Sequence, residues 1–246
     1  MQRLNTRISR ALSDGMNILA LDTGMGTCSA AVLLASGTTR RKIFREHRMV
    51  RGHAEVLMPM VIEVMTEAGL DFAELDLIAA TVGPGSFTGV RIAIAAARGF
   101  ALVTHAKLWG TDSLTVMARA AVEHGATEDS KSFAVAVDAR GESLYFGIYN
   151  GEGRKLAGPM LIGADEAVSL LPDDLAIAVG SGAAHLAEAA IRRERRVGAT
   201  LTDLQPSAAA LAELAFAANE TLPTLRPLYL RPPDAKPQVA EAVPRR

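Results

Sequence analysis

The chain has 246 residues, 49% apolar and 22% charged, and its 26 Lys+Arg against 27 Asp+Glu leave a net charge of −1. That length predicts one large domain or two small lobes, and the composition excludes a disordered chain. The near-neutral balance excludes a globally basic nucleic-acid binder but leaves room for a local basic patch, and a single cysteine, Cys28, excludes an internal disulfide and fits a reducing compartment.

Residues 1–15 (MQRLNTRISRALSDG) carry Arg3, Arg7 and Arg10 with no acid before Asp14. They lack the apolar core of a secretory signal and are predicted to be a disordered extension, with Met16 as an alternative start. The longest apolar stretch, 90–103, is broken by Arg91, Arg98 and Gly99, so no membrane span is predicted and a cytoplasmic protein is expected.

Residues 17–21 (NILAL) are a short apolar run ending at Asp22-Thr23-Gly24, and 27–34 (TCSAAVLL) return after a tight turn, which predicts a hairpin. Residues 38–48 are a third strand candidate, polar and Arg-rich. At 53–68 the period becomes helical, with Val56, Met60, Val64 and Ala68 on one stripe and Leu57, Val61 and Met65 beside it, and Gly69 placed as a C-terminal cap. Residues 76–82 (DLIAATV) suit a strand buried on both faces. Gly83-Pro84-Gly85 is a tight turn, and Ser86 is positioned to cap a helix running to 104.

A second cycle follows, with a brief strand at 108–110, a helix at 113–124, an apolar strand at 133–138 ending in Asp138, and a returning strand at 143–149. Helices at 166–171 and 183–192 flank a strand at 176–179, and 206–219 is an Ala-rich helix. The strand-to-Asp hairpin therefore occurs twice, 116 residues apart. This predicts an α/β chain of two facing lobes, each a β-hairpin plus an α/β unit: lobe I at 16–112 and lobe II at 113–232, with helix 206–219 free to pack back on lobe I and a disordered tail at 233–246.

The most distinctive stretch is Gly83-Pro84-Gly85-Ser86-Phe87-Thr88-Gly89-Val90-Arg91. Strand, glycine turn and helix N-terminus make an anion site in principle, yet no Gly-Lys-Ser/Thr follows and the spacing is not Gly-x-Ser-x-Gly. Two readings stand: an internal packing turn, or a helix whose small residues (Gly89, Ala93, Ala97, Gly99) admit a partner helix. His53 opens the first helix, but position 57 is Leu57 where a metal site would want a second histidine. Asp22-Thr23-Gly24 and Asp138-Ala139-Arg140 have the form of facing phosphate loops, and Gly180-Ser181-Gly182 that of an adenine-packing turn. Arg140, where a small residue would let amides reach phosphate, points to a filled or altered cleft. Cys28 reads as a buried strand residue. Residues 40–51 hold six basic residues and one acid, Glu46, a surplus of +5 that suits either a solvated face or contact with RNA phosphates.

Taken together, ILALDT (18–23), CSAAV (28–32), His53, GPGSFTGVRI (83–92), Asp138-Ala139-Arg140 with Tyr145, and Tyr229-Leu230-Arg231-Pro232 resemble the TsaB family, also called YeaZ. The resemblance spans residues 16–232. It implies the two-lobed fold of actin, hexokinase and the Hsp70 ATPase domain. It also implies a non-catalytic role in making N6-threonylcarbamoyladenosine, on the adenosine 3′ of the anticodon in ANN-decoding tRNAs. In that picture the catalytic paralogue TsaD carries the metal and nucleotide, the ATPase TsaE joins, and this chain binds no cofactor itself. In TsaD the first helix bears two metal-binding histidines; His53 with Leu57 cannot hold the metal that way. The family pairs through the first two helices of lobe I, which assigns contact roles to His53, Leu57, Met60, Val61, Val64, Phe87, Val90, Arg91, Ile94 and Ala97. It also implies a homodimer in isolation, and tRNA near the assembly. The glycine turn (Gly83, Pro84, Gly85, Ser86, Thr88, Gly89) is the family motif, and Asp22, Thr23, Asp138, Arg140, Gly180 and Gly182 mark a vestigial nucleotide cleft. The competing readings are an ATP-dependent small-molecule kinase of the same fold and, with no metal pair or nucleophile elbow behind it, a peptidase.

Overall fold

The computed structural model describes residues 15–127, 131–139, 141–218, 221–222 and 224–230. The N-terminal extension to residue 14, Arg140, Arg231, Pro232 and the tail lie outside the described residues.

Two five-stranded sheets carry the chain. In the first, β1 (Met16–Asp22), β2 (Thr27–Ser36) and β3 (Thr39–Arg48) form an antiparallel meander, and β4 (Leu77–Thr81) and β5 (Lys107–Thr111) continue in parallel, giving the order β3-β2-β1-β4-β5. The second repeats the plan with β6 (Phe133–Asp138), β7 (Ser143–Tyr149), β8 (Lys155–Gly163), β9 (Ile177–Val179) and β10 (Gly198–Thr200), in the order β10-β9-β6-β7-β8. This is the two-lobed actin, hexokinase and Hsp70-like architecture.

The helices follow from which strand faces need cover. Leu19 and Leu21 of β1 with Ala30 and Val32 of β2 face α1 (His53–Ala68) and α2 (Phe87–Thr104). Ile18, Ala20, Ala31 and Leu33 face the other way, onto α6 (Ala208–Ala217) and α3 (Ser113–Glu123). A strand covered on both sides has no polar alternation to display, hence the continuous apolar runs. α3 is shared: Val116 and Ala120 complete the lobe I core, while Leu114, Met117 and Ala121 pack on Phe133, Val135 and Tyr149 of the second sheet. α4 (Ala164–Ser169) and α5 (Ala183–Arg192) cover that sheet's far face. α2 is long and apolar enough to cross a membrane by length and composition, yet its Val90, Ala93, Ile94 and Ala97 stripe is packed in the lobe I core.

Local signals set the helix ends. Gly69 adopts φ 68° after α1 and its N–H closes the last turn; Ser86 caps α2, and Asp112 caps α3 through the Thr115 amide. Three elements escape the sequence pattern. β8, which the sequence pattern does not assign, contains Gly158 and Pro159; it is an edge strand, and Pro159 falls at a break in its register with β7, where a missing N–H costs no ladder bond. β10 is three residues long, and the 3-10 turn Phe72–Glu74 is built by a capping box between Asp71 and Glu74. Beyond α6, residues 221–222 and 224–230 strap the open edge of the first sheet. Leu222 bridges to Leu108, Leu225 is fully buried in the lobe I core, and the Leu228 amide donates to the Val82 carbonyl at 2.7 Å.

Candidate functional site

The glycine motif closes over the first hairpin turn. The Ser86 amide donates to the Gly24 carbonyl at 2.7 Å, and the Ser86 hydroxyl accepts from the Gly89 amide at 3.0 Å. Thr23 is clamped between two points of α2, its hydroxyl donating to the Gly89 carbonyl at 2.6 Å and accepting from the Ala93 amide at 3.1 Å. A methyl group on Gly85 would overlap the Gly24 carbonyl, and one on Gly89 the Thr23 carbonyl, so neither position admits a side chain. Gly83 adopts φ 103°, open to glycine, with the strap carbonyl of Leu228 against it. The motif is thus a packing device: the Ser86 amide is turned onto the chain's own hairpin and the Gly89 amide onto the Ser86 hydroxyl. Thr88 stands outside this contact, on the surface.

Beneath this seal sits Asp22, fully buried. Its Oδ1 accepts from the Thr81 hydroxyl and, at 3.4 Å, from the Gly24 amide, while Oδ2 has no partner among the described residues. Burial disfavours the carboxylate and pushes its pKa up to about 7, against the smaller pull of the Thr81 hydrogen bond. The Ser113 hydroxyl, also unpartnered, flanks the same Gly24. Cys28 lies close by, and burial, reinforced by the Asp22 charge, pushes its thiol up to about 11, far from a nucleophile's range. The remaining turn groups are engaged too: the Gly26 amide donates to Gln205 Oε1 at 2.8 Å, and the Met25 side chain packs on the lobe II cluster around Tyr149 and Val135.

The second turn is built differently. Asp138 is exposed, and among the described residues its backbone amide is held by the Ser181 hydroxyl at 3.0 Å while no partner is shown for its carboxylate. Gly180, at φ 97°, and Gly182 press on the end of β6, where side chains would meet the Ala136 carbonyl and Leu144. Both glycines therefore serve strand-to-helix packing. Arg140 lies outside the described residues.

The contact residues assigned from sequence divide sharply. Leu57, Met60, Val61, Val64, Val90, Ile94 and Ala97 are buried in the lobe I core, and His53 is only 7% exposed, its Nε2 without a partner among the described residues. Only Phe87 and Arg91 reach the surface. Helical period marks an apolar face without saying what covers it, and here the first sheet covers the stripe that holds most of these residues. The outward apolar residues are Met58 and Ile62 on α1 and Leu102 and Val103 on α2, the last two about 80% exposed (79% and 80%). Their sequence signal was an apolar surplus lying off the core stripe. Among the described residues no group of three His, Cys, Asp or Glu side chains is placed to hold a metal.

The basic third strand proves to be compensated. Arg40 pairs with Glu213 at 3.0 Å, Lys42 with Glu213 and Glu123 at 3.6 and 3.8 Å, Arg45 with Glu67, and Arg48 with Asp203 at 2.8 Å. These pairs tie β3 to α1, α3, α6 and the loop before α6, and with Lys155–Asp112 at 2.7 Å they help lock the lobes together. A groove of about 350 Å³ beside them is lined by Lys42, Phe44, Arg48, His124 and Asp203, with both signs of charge present.

The family model describing TsaD, a tRNA N6-adenosine threonylcarbamoyltransferase, matches residues 47–223. The tRNA threonylcarbamoyladenosine biosynthesis protein TsaB of Haemophilus influenzae is 29% identical over 233 residues, covering 88% of this chain and 94% of that protein. Its Escherichia coli counterpart is 36% identical over 135 residues, 54% of this chain and 55% of that one. The solved structure of YeaZ from Pseudomonas aeruginosa superposes with a TM-score of 0.74 at 30% identity, over 87% of this chain and 100% of its own. By fold, by glycine motif and by these matches along most of its length, the chain belongs to the TsaB (YeaZ) family, within the wider family described by the TsaD model.

Proposed function

We propose that the chain is a non-catalytic partner subunit of the cytoplasmic assembly that makes N6-threonylcarbamoyladenosine in ANN-decoding tRNAs, and that it pairs with a TsaD-like catalytic paralogue. The observation that carries this reading is the sealed first turn. A kinase of this architecture needs its first aspartate and the following amides open to a metal-bound phosphate. Here Asp22 is enclosed, and the Gly24 and Gly26 amides donate to Asp22 and Gln205. The residues present therefore do not fit a nucleotide, and the cofactor chemistry falls to partners: the TsaD-like paralogue and a TsaE-like ATPase.

Pairing is supported by Met58, Ile62, Leu102 and Val103, apolar side chains left in solvent on the two helices that cover one face of lobe I. Small residues between them, Ala95 and Gly99, let a partner helix approach closely. The same face serves a homodimer when the paralogue is absent. The test is omission: threonine, bicarbonate, ATP, tRNA and the other components are combined with and without the chain, and modified adenosine is measured. Product at background without the chain upholds the reading; unchanged product overturns it. The kinase alternative predicts micromolar ATP–Mg²⁺ affinity lost in Asp22→Ala, against which the enclosure of Asp22 stands.

A further inference from the structure

At the N-terminal end of α2 an aromatic and cationic cluster stands in solvent. The rings of Phe87 and Tyr229 stack at 5.5 Å and 22°, with Phe87 55% and Tyr229 46% exposed. The Arg91 guanidinium lies 3.6 Å from the Phe87 ring centroid, and its Nε–H donates to the Tyr229 hydroxyl at 2.7 Å. Along the same flank Arg98 donates to the Leu225 carbonyl of the strap, and Arg226 is exposed next to it. None of these three arginines has a carboxylate partner among the described residues. Neither α2 nor residues 221–230 contain an acid, so Arg91, Arg98 and Arg226 sum to +3 in a chain of net charge −1. The acids of the turn packed beside α2 are otherwise engaged: Asp71 and Glu74 close the capping box, and Asp76, just after it, accepts from the Asn17 amide.

We infer that this flank, Arg91, Arg98 and Arg226 with Phe87 and Tyr229, contacts single-stranded RNA, its arginines taking phosphates and its aromatic pair stacking an unpaired base. Unpaired guanidiniums beside exposed rings are what a single strand requires, since phosphates supply the missing anions and every base has a face to stack. Arg91 and Arg98 each spend one donor on the strap, which orients them and leaves their other donors free. The +5 surplus of residues 40–51, by contrast, is largely consumed by Glu67, Glu123, Asp203 and Glu213. The choice of RNA over an acidic protein rests on the function proposed above; the location of the site rests on the geometry alone.

The test is fluorescence anisotropy of the full chain with a short RNA hairpin bearing an unpaired loop, and with the same RNA closed into a continuous duplex. Arg91→Glu with Arg226→Glu is expected to weaken loop binding by about tenfold or more and to flatten its salt dependence by about two phosphate contacts. Tyr229→Ala weakens it by about tenfold, whereas Tyr229→Phe, which keeps the stack, largely retains it. Arg48→Glu on β3 leaves it unchanged, and circular dichroism confirms that each variant is folded. No hairpin binding by the wild-type chain, equal loss in Arg48→Glu, or equal affinity for duplex overturns the inference. So does RNA binding that survives the double substitution while pairing with the TsaD-like subunit is lost, which assigns the flank to protein contact. A positive omission assay with no flank-dependent RNA binding sinks this inference alone; the converse sinks the proposed function and keeps the flank as an RNA site.

Discussion

Asp22 and Asp138 close the same piece of architecture, the first strand of a hairpin in each lobe, and the chain treats them in opposite ways. Around Asp22 the Gly83–Gly89 motif bends back on the turn, Thr23 is gripped twice, and the carboxyl is sealed at 0% exposure with one oxygen unpaired. Around Asp138, among the described residues, a backbone amide alone is held, and the residue is exposed. The difference lies in what packs on each turn. After β4 a glycine motif allows backbone to touch backbone; after β9 the Gly180 and Gly182 turn packs on the strand and stops short of the carboxylate. A duplicated backbone plan therefore preserves topology while the chemistry of its two turns diverges.

The comparison breaks most easily at the glycines. Gly85→Ala forces a methyl group into the Gly24 carbonyl, where rigid backbone faces rigid backbone, and is expected to cost about 3 kcal/mol or more. Gly141, in the second turn, has φ 80° but open space around it, so Gly141→Ala bears only the conformational penalty of about 1 kcal/mol. Urea unfolding of the two variants measures the gap, and equal losses would show that the first turn is not the tighter one.

The two aspartates give a gap that depends on pH. Asp22 titrates at about 7 in the folded protein against 3.8 as its ordinary value, so folding favours its protonated form. That contribution is complete below the unfolded value and is lost as pH rises through about 7. The ceiling on the loss is about 4 kcal/mol, from roughly three pKa units at about 1.4 kcal/mol each. Asp22→Asn removes the titration and places an amide where Oδ2 lacks a partner, so it should flatten the fall in stability between pH 5 and pH 8 and gain on the wild type at the alkaline end. Asp138→Asn is expected to stay within about 0.5 kcal/mol at both pH values, as exposed substitutions do. A wild-type stability that rises from pH 5 to pH 8, with the Asp22→Asn curve parallel to it, would sink the account of a buried neutral acid.

Much of this frame is legible in the sequence because it is local. The 76–82 and 133–138 runs are apolar throughout since their strands are covered on both faces, and Gly69 and Ser86 mark helix ends by chemistry within one turn. What escapes is whatever another part of the chain decides. The Arg-rich third strand reads as a basic patch because its neutralising partners Asp203 and Glu213 lie 155 and 173 residues downstream. The strap at 224–230 (TLRPLYL) is too short to show a period, yet Leu225 enters the core through the gap left by Gly110, where a side chain would meet it. Period identifies a stripe on α1 and α2, and only the sheet beneath decides that Leu57, Val61 and Ile94 turn inward while Ile62 and Leu102 do not.

The smallest and most specific contrast is between the hydroxyls that serve the two turns. Thr81 is fully buried and its hydroxyl donates to Asp22 Oδ1; Ser181 is exposed and its hydroxyl accepts from the Asp138 amide. Thr81→Val keeps the shape and removes the donor, leaving Oδ1 with only the distant Gly24 amide. With Asp22 protonated at pH 5 the lost bond is between neutral groups and should cost about 1 kcal/mol; at pH 8 it is a bond to a charge, and about 2 kcal/mol is expected. Because that bond holds the Asp22 pKa down against burial, its loss also moves the pH at which stability falls upward from about 7. Ser181→Ala removes a bond that water can replace and should cost about 0.5 kcal/mol or less, equally at both pH values. Urea midpoints for the two variants at pH 5 and pH 8 give four numbers. If the Thr81→Val cost does not grow with pH while that of Ser181→Ala stays flat, then Asp22 does not ionise against its burial, and the first turn is sealed by packing alone.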